Sequence, residues 1–307
     1  MNNHSTPKDV FLHLGLIGAL YVSIYSLISL VFSYINILLP DPLSYGSEIY
    51  SIITSTSALI ILFPVFLILS WLIQKEEVAT PEKRDLKIKK WLISLTLFLA
   101  GVILVGDAIT LVYSFLQGDL TLRFILKILT VIIVSGGVFY HYIKDLKSAS
   151  VNVSRNKLFA VITSVIVILT IVTNFILVGT PSYQRKVRFD DQRISDLSNI
   201  QGQIINYWQN KNKLPNTLAD LTDSISGWQA PVDPETSTPY EYQLRTDPLS
   251  FYLCTTFSTN NLDKTSALTK NSYGPYGNQN WSHDTGHQCF DRGIDPELYR
   301  PYPIGVK

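Results

Sequence analysis

Charged residues are scarce in this sequence. Asp, Glu, Lys and Arg make up 16% of its 307 residues, whereas soluble domains carry roughly 25%. The deficit lies before Pro181, because residues 182–307 have the mixed composition of an ordinary globular domain. The formal net charge is only +1, so there is no strong overall field and nucleic acid is not an expected partner. The composition predicts an apolar part followed by a polar part.

Cysteine is also rare, and both copies, Cys254 and Cys289, fall in the polar part. A pair confined to one domain favours a disulfide in an oxidising compartment, with two free thiols as the alternative. Residues 258–288, rich in Asn, Ser, Thr, Gly and Asp, are predicted to form a long surface loop. A Cys254–Cys289 bridge would tether that loop and add roughly 4 kcal/mol in the chain-entropy model.

The sequence lacks the short motifs that accompany catalysis: a Walker loop, a dinucleotide fingerprint, a Cys-x-x-Cys pair and a Gly-x-Ser-x-Gly elbow. His283, Asp284 and His287 could ligate a metal, since two histidines four residues apart are a known ligand spacing on a helix, but their surroundings are loop-like. Asp233 and Asp247 could bind calcium, although Asp before Pro more often forms a turn. We therefore expect no cofactor, with a metal-dependent extracytoplasmic enzyme as an alternative.

Five apolar segments are long enough to cross a bilayer, for which a helix needs roughly 20 mostly apolar residues. They cover residues 11–39, 51–73, 91–116, 120–143 and 158–179. The first run exceeds a signal-peptide core of about 7–15 residues, so it is expected to remain as a helix. Several adjacent helices without a polar face cannot all lie inside a soluble bundle. The predicted fold class is a multi-pass α-helical membrane domain with five transmembrane helices.

Charges between these segments predict their orientation, because cytoplasmic loops carry an excess of Lys and Arg. Ten such residues follow the second and fourth segments: Lys75, Lys83, Arg84, Lys87, Lys89, Lys90, Lys144, Lys147, Arg155 and Lys157. Three follow the fifth segment: Arg185, Lys186 and Arg188. The N-terminus is therefore expected in the cytoplasm and the C-terminal domain outside it.

Three charges fall inside the apolar segments: Asp107, Arg123 and Lys127. At about 1.5 Å per residue, Asp107 and Lys127 reach similar depths on consecutive helices. A buried ion pair that pins these helices is the favoured interpretation. Intramembrane ionisable residues are functional by default, so a small transporter or channel component that uses all three residues is an alternative.

A series of short motifs runs through the membrane part. In order they include Pro7-Lys8-Asp9, Phe63-Pro64, Lys90-Trp91-Leu92, Gly106-Asp107 and residues 118–124. Over about residues 7–148 the series resembles a bacterial family of four-helix membrane proteins known only as a domain of unknown function. The resemblance implies a membrane fold and no activity. The expected domains are a four-helix transmembrane domain over 1–150, a fifth transmembrane helix over 151–181 and an extracytoplasmic domain over 182–307.

Apolar residues in the polar part recur at three- and four-residue steps, at Ile194, Leu197, Ile200, Ile204 and Trp208. This spacing predicts an amphipathic helix with one buried stripe. A short helix over 217–225 and two strands, 239–244 and 250–257, are predicted to follow, with a hairpin turn between the strands. The polar part is therefore expected to be a small α+β domain with an antiparallel hairpin or sheet.

The polar part also carries a second series of motifs: Leu214-Pro215, Asp233-Pro234, Pro239-Tyr240-Glu241-Tyr242 and Tyr252-Leu253. Over about residues 157–257 it resembles the globular domain of type II secretion pseudopilins and related pilins. The resemblance implies a helix packed on a small antiparallel sheet. The pilin processing motif has no counterpart before Leu158, so extraction into a filament is not expected.

These observations favour a non-enzymatic protein of the bacterial inner membrane that presents an extracytoplasmic pilin-like domain for interaction, as a cell-envelope assembly or binding component. The expected partners are the lipid bilayer and either another envelope protein or a second copy of the chain.

Overall fold

The computed structural model describes residues 6–39, 48–80, 86–117, 121–147, 153–261 and 281–302. The chain divides into two compact units, Met1–Val178 and Gly179–Lys307. The described residues of the first unit form helices, and those of the second form a long helix and an antiparallel sheet.

Five helices build the described part of the first unit: α1 (Pro7–Leu38), α2 (Ile49–Ala79), α3 (Lys87–Gln117), α4 (Leu122–Lys147) and α5 (Val153–Leu177). Among the described residues, five helices are long and apolar enough to cross a membrane, which indicates a membrane protein and agrees with the five predicted apolar segments. Large apolar side chains cover the outside of the unit, and Phe98, Ile133 and Ile176 are 66%, 70% and 76% exposed. Such a surface is stable where lipid tails replace water.

Small hydroxyl residues line the contact between α1 and α2. The Oγ atoms of Ser29 and Ser33 each lie 3.1 Å from Ser51 Oγ, and Ser26 and Ser55 are buried. Small side chains let the two backbones approach, and the hydroxyl groups satisfy one another where water is excluded. Because the end of α1 meets the start of α2, the two helices run antiparallel.

Single polar contacts join α1 to the helices on its other sides. Tyr21 Oη lies 3.0 Å from Thr96 Oγ1 on α3, and Tyr34 Oη donates to the Thr170 carbonyl of α5 at 2.8 Å. The start of α1 is fixed by Thr6, whose side chain accepts the Asp9 N–H in a capping box. These contacts place α1 among the other helices of the bundle.

The second unit opens with α6 (Pro181–Lys211). Gly179 has a φ of +88°, a left-handed conformation that glycine adopts without a steric cost. Thr180 then caps α6, because its side chain accepts the N–H of Tyr183. The helix ends at Asn212, which takes the left-handed conformation common at helix C-termini.

The predicted apolar stripe of α6 forms the core of the second unit. Leu197, Ile200 and Ile204 are fully buried, and Trp208 is 7% exposed. The Trp208 Nε1–H donates to the Tyr299 carbonyl at 3.1 Å. The aromatic and aliphatic side chains of the sheet that share this core are Phe251, Leu253, Phe257 and Phe290.

The sheet has three antiparallel strands in the order β1 (Glu241–Leu244), β2 (Ser250–Phe257) and β3 (Gly286–Gly293). The predicted hairpin of β1 and β2 is present, but β3 was not predicted. Residues 286–288 belong to the stretch 258–288, whose richness in Asn, Ser, Thr, Gly and Asp predicts a surface loop. They pair with residues 255–257 of β2, so the open edge of β2 decides their conformation. Residues 262–280 of the predicted loop lie outside the described residues.

The predicted short helix over 217–225 is also corrected. Only Leu218–Leu221 is helical, as a single 3-10 turn. The Asp223 carboxylate accepts the N–H groups of Ile225 and Ser226, and this local bonding turns the chain instead of continuing the helix.

Candidate functional site

Arg123 lies in a polar cluster at one end of the helical unit. Its Nε donates to Asn36 Oδ1 at 2.7 Å, and Asn36 Nδ2 donates to Glu48 Oε1 at 2.8 Å. Asn36 lies in the last turn of α1, Glu48 immediately precedes α2 and Arg123 belongs to the first turn of α4. The cluster therefore joins three helix ends.

Asp107 and Lys127 do not form the predicted ion pair within the described residues. Lys127 Nζ lies instead 5.5 Å from the centre of the Phe32 ring of α1, a cation–π contact. Asp107 Oδ2 is buried and has no hydrogen-bond partner among the described residues. Similar depth on consecutive helices fixes the height of two side chains but not the rotation of each helix, and rotation decides whether they meet.

Cys254 and Cys289 form the predicted disulfide. They are direct partners across β2 and β3, and their Cα atoms are 4.1 Å apart. The bridge therefore cross-links two neighbouring strands and closes the chain between residues 254 and 289, of which residues 262–280 lie outside the described part. A ring nitrogen of His287 lies within 4.8 Å of both sulfurs, but sulfurs in a disulfide cannot act as thiolate ligands.

His283, Asp284 and His287 do not gather into a ligand group in the described part of the chain. His283 is 2% exposed, and its ring stacks on Phe257 at 3.6 Å between centroids. His287 is exposed on β3, where its Nε2 lies 3.1 Å from Glu241 Oε1. His283 therefore packs in the core, whereas His287 makes an exposed contact with β1.

A buried ion cluster in the second unit surrounds Arg193, which is 2% exposed. Its Nε and Nη2 donate to the two carboxylate oxygens of Asp233 at 2.6 and 3.2 Å, the two-pronged geometry that suits a guanidinium. Nη1 donates to Asp190 Oδ1 at 2.7 Å, and Nη2 also donates to Glu235 Oε2 at 2.8 Å. The cluster joins α6 to the turn that precedes β1.

Backbone N–H groups complete the bonding of the two buried carboxylates. Asp190 accepts the N–H groups of Ser258 and Thr259, just beyond β2, at 3.0 and 2.7 Å. Asp233 accepts those of Glu235 and Thr236 at 2.9 and 2.8 Å. Asp190 therefore ties the end of β2 to α6, and Asp233 fixes its own turn.

The pKa values of Arg193 and Asp233 keep this pair ionised at neutral pH. Burial raises the pKa of Asp233, but the bonds from Arg193 and from two backbone N–H groups outweigh it and lower that pKa to about 2. Burial lowers the pKa of Arg193, and hydrogen bonds to Asp233, Glu235 and Asp190 more than offset this and raise it. These bonds hold α6 against the turn that precedes β1 and against the end of β2. The role of the cluster is therefore structural.

The sequence held a signal for this cluster that pattern reasoning missed. Arg193 lies four residues before Leu197, so it falls on the buried stripe of α6. A charged residue on a buried face requires a partner of opposite charge. The sequence predicts a turn at Asp233-Pro234, with calcium binding as the alternative, and Asp233 is both the turn residue and that partner.

The face of the sheet that is turned away from α6 is polar. Besides the exposed Cys289, the strand register places five exposed polar side chains on this outer face: Glu241, Gln243, Thr256, His287 and Asp291. Arg245 reaches it through a 2.7 Å ion pair with Asp291. The outer face is thus a small surface with both signs of charge, reinforced at its centre by the disulfide.

Comparison with known proteins bears on the first unit. Residues 9–140 match a family described as a domain of unknown function (DUF5671), in agreement with the resemblance found in the sequence. No curated protein and no solved structure matches the chain, so the likeness to pseudopilins gains no support from them. Over residues 9–140, which cover most of α1, all of α2 and α3 and most of α4, this chain is therefore similar to a domain of unknown function.

Proposed function

We propose that this chain is an integral protein of the bacterial inner membrane that presents its second unit outside the cytoplasm as a pilin-like interaction domain. The observation that best supports the proposal is the architecture of that unit. A long helix lies against a small antiparallel sheet, with the stripe of α6 on one side and the polar outer face on the other. This is the arrangement that the pseudopilin resemblance implies.

The disulfide supports the extracytoplasmic location. Structural disulfides persist in oxidising compartments and are rare in the cytosol. The distribution of Lys and Arg favours the same orientation, with the N-terminus in the cytoplasm. The disulfide and the charge distribution are independent of each other, and both support an extracytoplasmic second unit.

The outer face supports a role in binding. Interfaces between proteins that associate reversibly are about as polar as ordinary surfaces, and charges of both signs favour a partner with complementary charges. The proposed partner is another envelope protein or a second copy of this chain. The role would be that of an assembly or binding component of the cell envelope.

Cysteine labelling of whole cells tests the location. Ser224→Cys, on an exposed turn of the second unit, should react with a membrane-impermeant maleimide. Thr80→Cys, at the exposed end of α2, should react only after the cells are permeabilised. The native cysteines form a disulfide and contribute no background. Labelling of Thr80→Cys in intact cells would reverse the orientation.

Photo-crosslinking of the full-length protein in cells tests the binding role. A crosslinking amino acid at Gln243 or Thr256, on the outer face, should yield discrete protein adducts. The same amino acid at the lipid-facing Phe98 should not. If neither outer-face position gives an adduct with a protein, this face is not the interaction surface.

One observation favours a second function. Asp107 Oδ2 is buried within an apolar helix and lacks a hydrogen-bond donor among the described residues. A carboxyl group in such a place costs free energy, and ionisable residues inside membranes usually serve a function. A proton or ion pathway that uses Asp107 is therefore the second candidate. Proteoliposomes should then show a flux that Asp107→Asn abolishes, and a protein without flux would exclude this role.

A further inference from the structure

The five helices of the first unit meet around a small cavity at the end that carries Lys89 and Asp145. Its volume is about 90 Å³, and each of the five helices contributes to its lining. Apolar side chains such as Phe66 and Phe159 form part of the wall, and polar side chains form the rest. None of the interactions described above uses this space.

Three buried polar atoms of the lining have no hydrogen-bond partner among the described residues: His13 Nε2, Gln74 Nε2 and Asn156 Oδ1. Nearly all buried polar groups in native proteins are hydrogen-bonded, because an unpaired one loses its water without replacement. Three such atoms around one cavity, from α1, α2 and α5, indicate that the cavity supplies their partner.

The three atoms include both hydrogen-bond acceptors and a donor. His13 Nδ1 lies 2.8 Å from the Asp9 carbonyl oxygen, which can only accept, so Nδ1 carries a proton. With this tautomer of the imidazole, Nε2 is the acceptor. Asn156 Oδ1 also accepts, whereas the Gln74 amide N–H donates. The complementary ligand therefore has at least one N–H or O–H group and one acceptor atom.

The charge beside the cavity indicates a neutral ligand. Lys89 Nζ lies 2.6 Å from Glu77 and 3.6 Å from Asp145, and Arg155 lies 3.6 Å from the same Asp145. Among these four described residues, two cations and two anions balance one another. A ligand with a net charge would add an uncompensated charge to a site of low dielectric, which is strongly unfavourable.

The volume limits the ligand to a few heavy atoms. A water molecule in the liquid takes about 30 Å³, and a cavity of about 150 Å³ is known to hold a benzene ring. The site therefore has room for roughly three water molecules or for one small organic molecule.

We propose that this cavity is a binding site for a small neutral molecule that both donates and accepts hydrogen bonds. Two sources share that chemistry: water from the adjacent aqueous phase and a small neutral solute such as an amide. The proposal does not depend on the function proposed for the second unit. The cavity is also separate from the helix contacts and the Arg123 cluster of the first unit.

X-ray radiolysis of the full-length protein in detergent tests the proposal. Hydroxyl radicals formed from bound water oxidise the side chains next to it. His13, although 7% exposed, should be oxidised several-fold faster than Phe98, which the detergent covers. In protein prepared without added solute, an unmodified His13 would mean that the cavity is dry and would overturn the proposal.

Added solutes distinguish the two sources. If acetamide, which is neutral and small, slows the oxidation of His13, the cavity accepts an organic solute; if it does not, water is the occupant. Acetate has a similar size and carries a charge, so it should give no protection. Equal protection by acetate and acetamide would refute the argument from charge.

A matched pair of variants tests whether the water that oxidises His13 lies in the cavity. Ala160→Leu places extra carbon atoms in the cavity and should abolish the oxidation of His13, whereas Ala108→Leu on the exposed side of α3 should leave it unchanged. Oxidation that persists in a folded Ala160→Leu protein would place the water elsewhere and count against the site. If Ala160→Leu does not fold, the measurements on the unmodified protein decide the question.

Discussion

Replacing Arg193 with Met tests the buried ion cluster of the second unit. The substitution keeps the apolar stem of the side chain and removes the guanidinium from Asp190, Asp233 and Glu235. Removing one partner of a buried ion pair typically costs about 3–5 kcal/mol. The lower end applies here, since Asp190 and Asp233 keep backbone N–H donors and the side chain of Glu235 is 42% exposed. We expect a loss of about 3 kcal/mol in the free energy of unfolding of this unit.

Hydrogen exchange of the intact protein in detergent, read by mass spectrometry, measures this loss. Amides of β2 lie in the core of the unit and exchange when it opens, so a loss of about 3 kcal/mol should speed their exchange by on the order of 100-fold. Arg188→Met, at an exposed site on the same helix, is the matched control and should change exchange only slightly. Peptides of α1 to α4 should be unaffected by either variant.

The difference in exchange rate between the unmodified protein and Arg193→Met should depend on pH. This dependence distinguishes the ion cluster from ordinary apolar packing. The pKa of Asp233 is lowered from 3.8 to about 2, so its ionised form stabilises the folded state. That contribution is complete above the unfolded value and disappears as pH falls from 3.8 through about 2. The gap between the unmodified protein and Arg193→Met should therefore narrow below pH 3.8. Equal exchange of the two proteins at neutral pH, or a gap that does not vary with pH, would refute the reasoning.

Three further predictions concern the core, the disulfide and the helical unit. Trp208→Ala should cost about 3–5 kcal/mol because the ring is buried, seen as faster exchange in β2, and an unchanged rate would mean that the ring does not hold the core. Reduction of Cys254–Cys289 should cost roughly 4 kcal/mol and lower the unfolding temperature of the second unit, whereas a variant with both cysteines replaced by Ala should not respond to reductant. Lys89→Met should lower the unfolding temperature of the detergent-solubilised protein, because Glu77, only 7% exposed, loses its counter-charge. Adding Glu77→Gln should restore part of the loss. If the double variant is no more stable than Lys89→Met, the two residues do not act as an ion pair.

Local regularities account for what the sequence alone determined. Runs of apolar residues longer than a bilayer is thick predicted the spanning helices, because length and composition act within each segment. The spacing from Leu197 to Trp208 predicted the buried face of α6, since every side chain on that stripe must leave water together. The bounds of β2 were predicted because Ser250–Phe257 is flanked by turn residues and is rich in aromatic and β-branched side chains. The isolation of Cys254 and Cys289 in one part of the chain predicted their bridge.

Contacts between distant segments decided the rest. Gly286-His287-Gln288 has no strand pattern of its own and becomes part of β3 because β2 offers an unpaired edge. Lys127 turns to Phe32 and not to Asp107, because the rotation of a helix depends on everything packed around it. Arg193 meets Asp233, and five helices leave a cavity beside His13, only once the chain has closed. A sequence specifies each helix and strand largely through its neighbours along the chain, whereas a site built from several elements exists only in the packed structure.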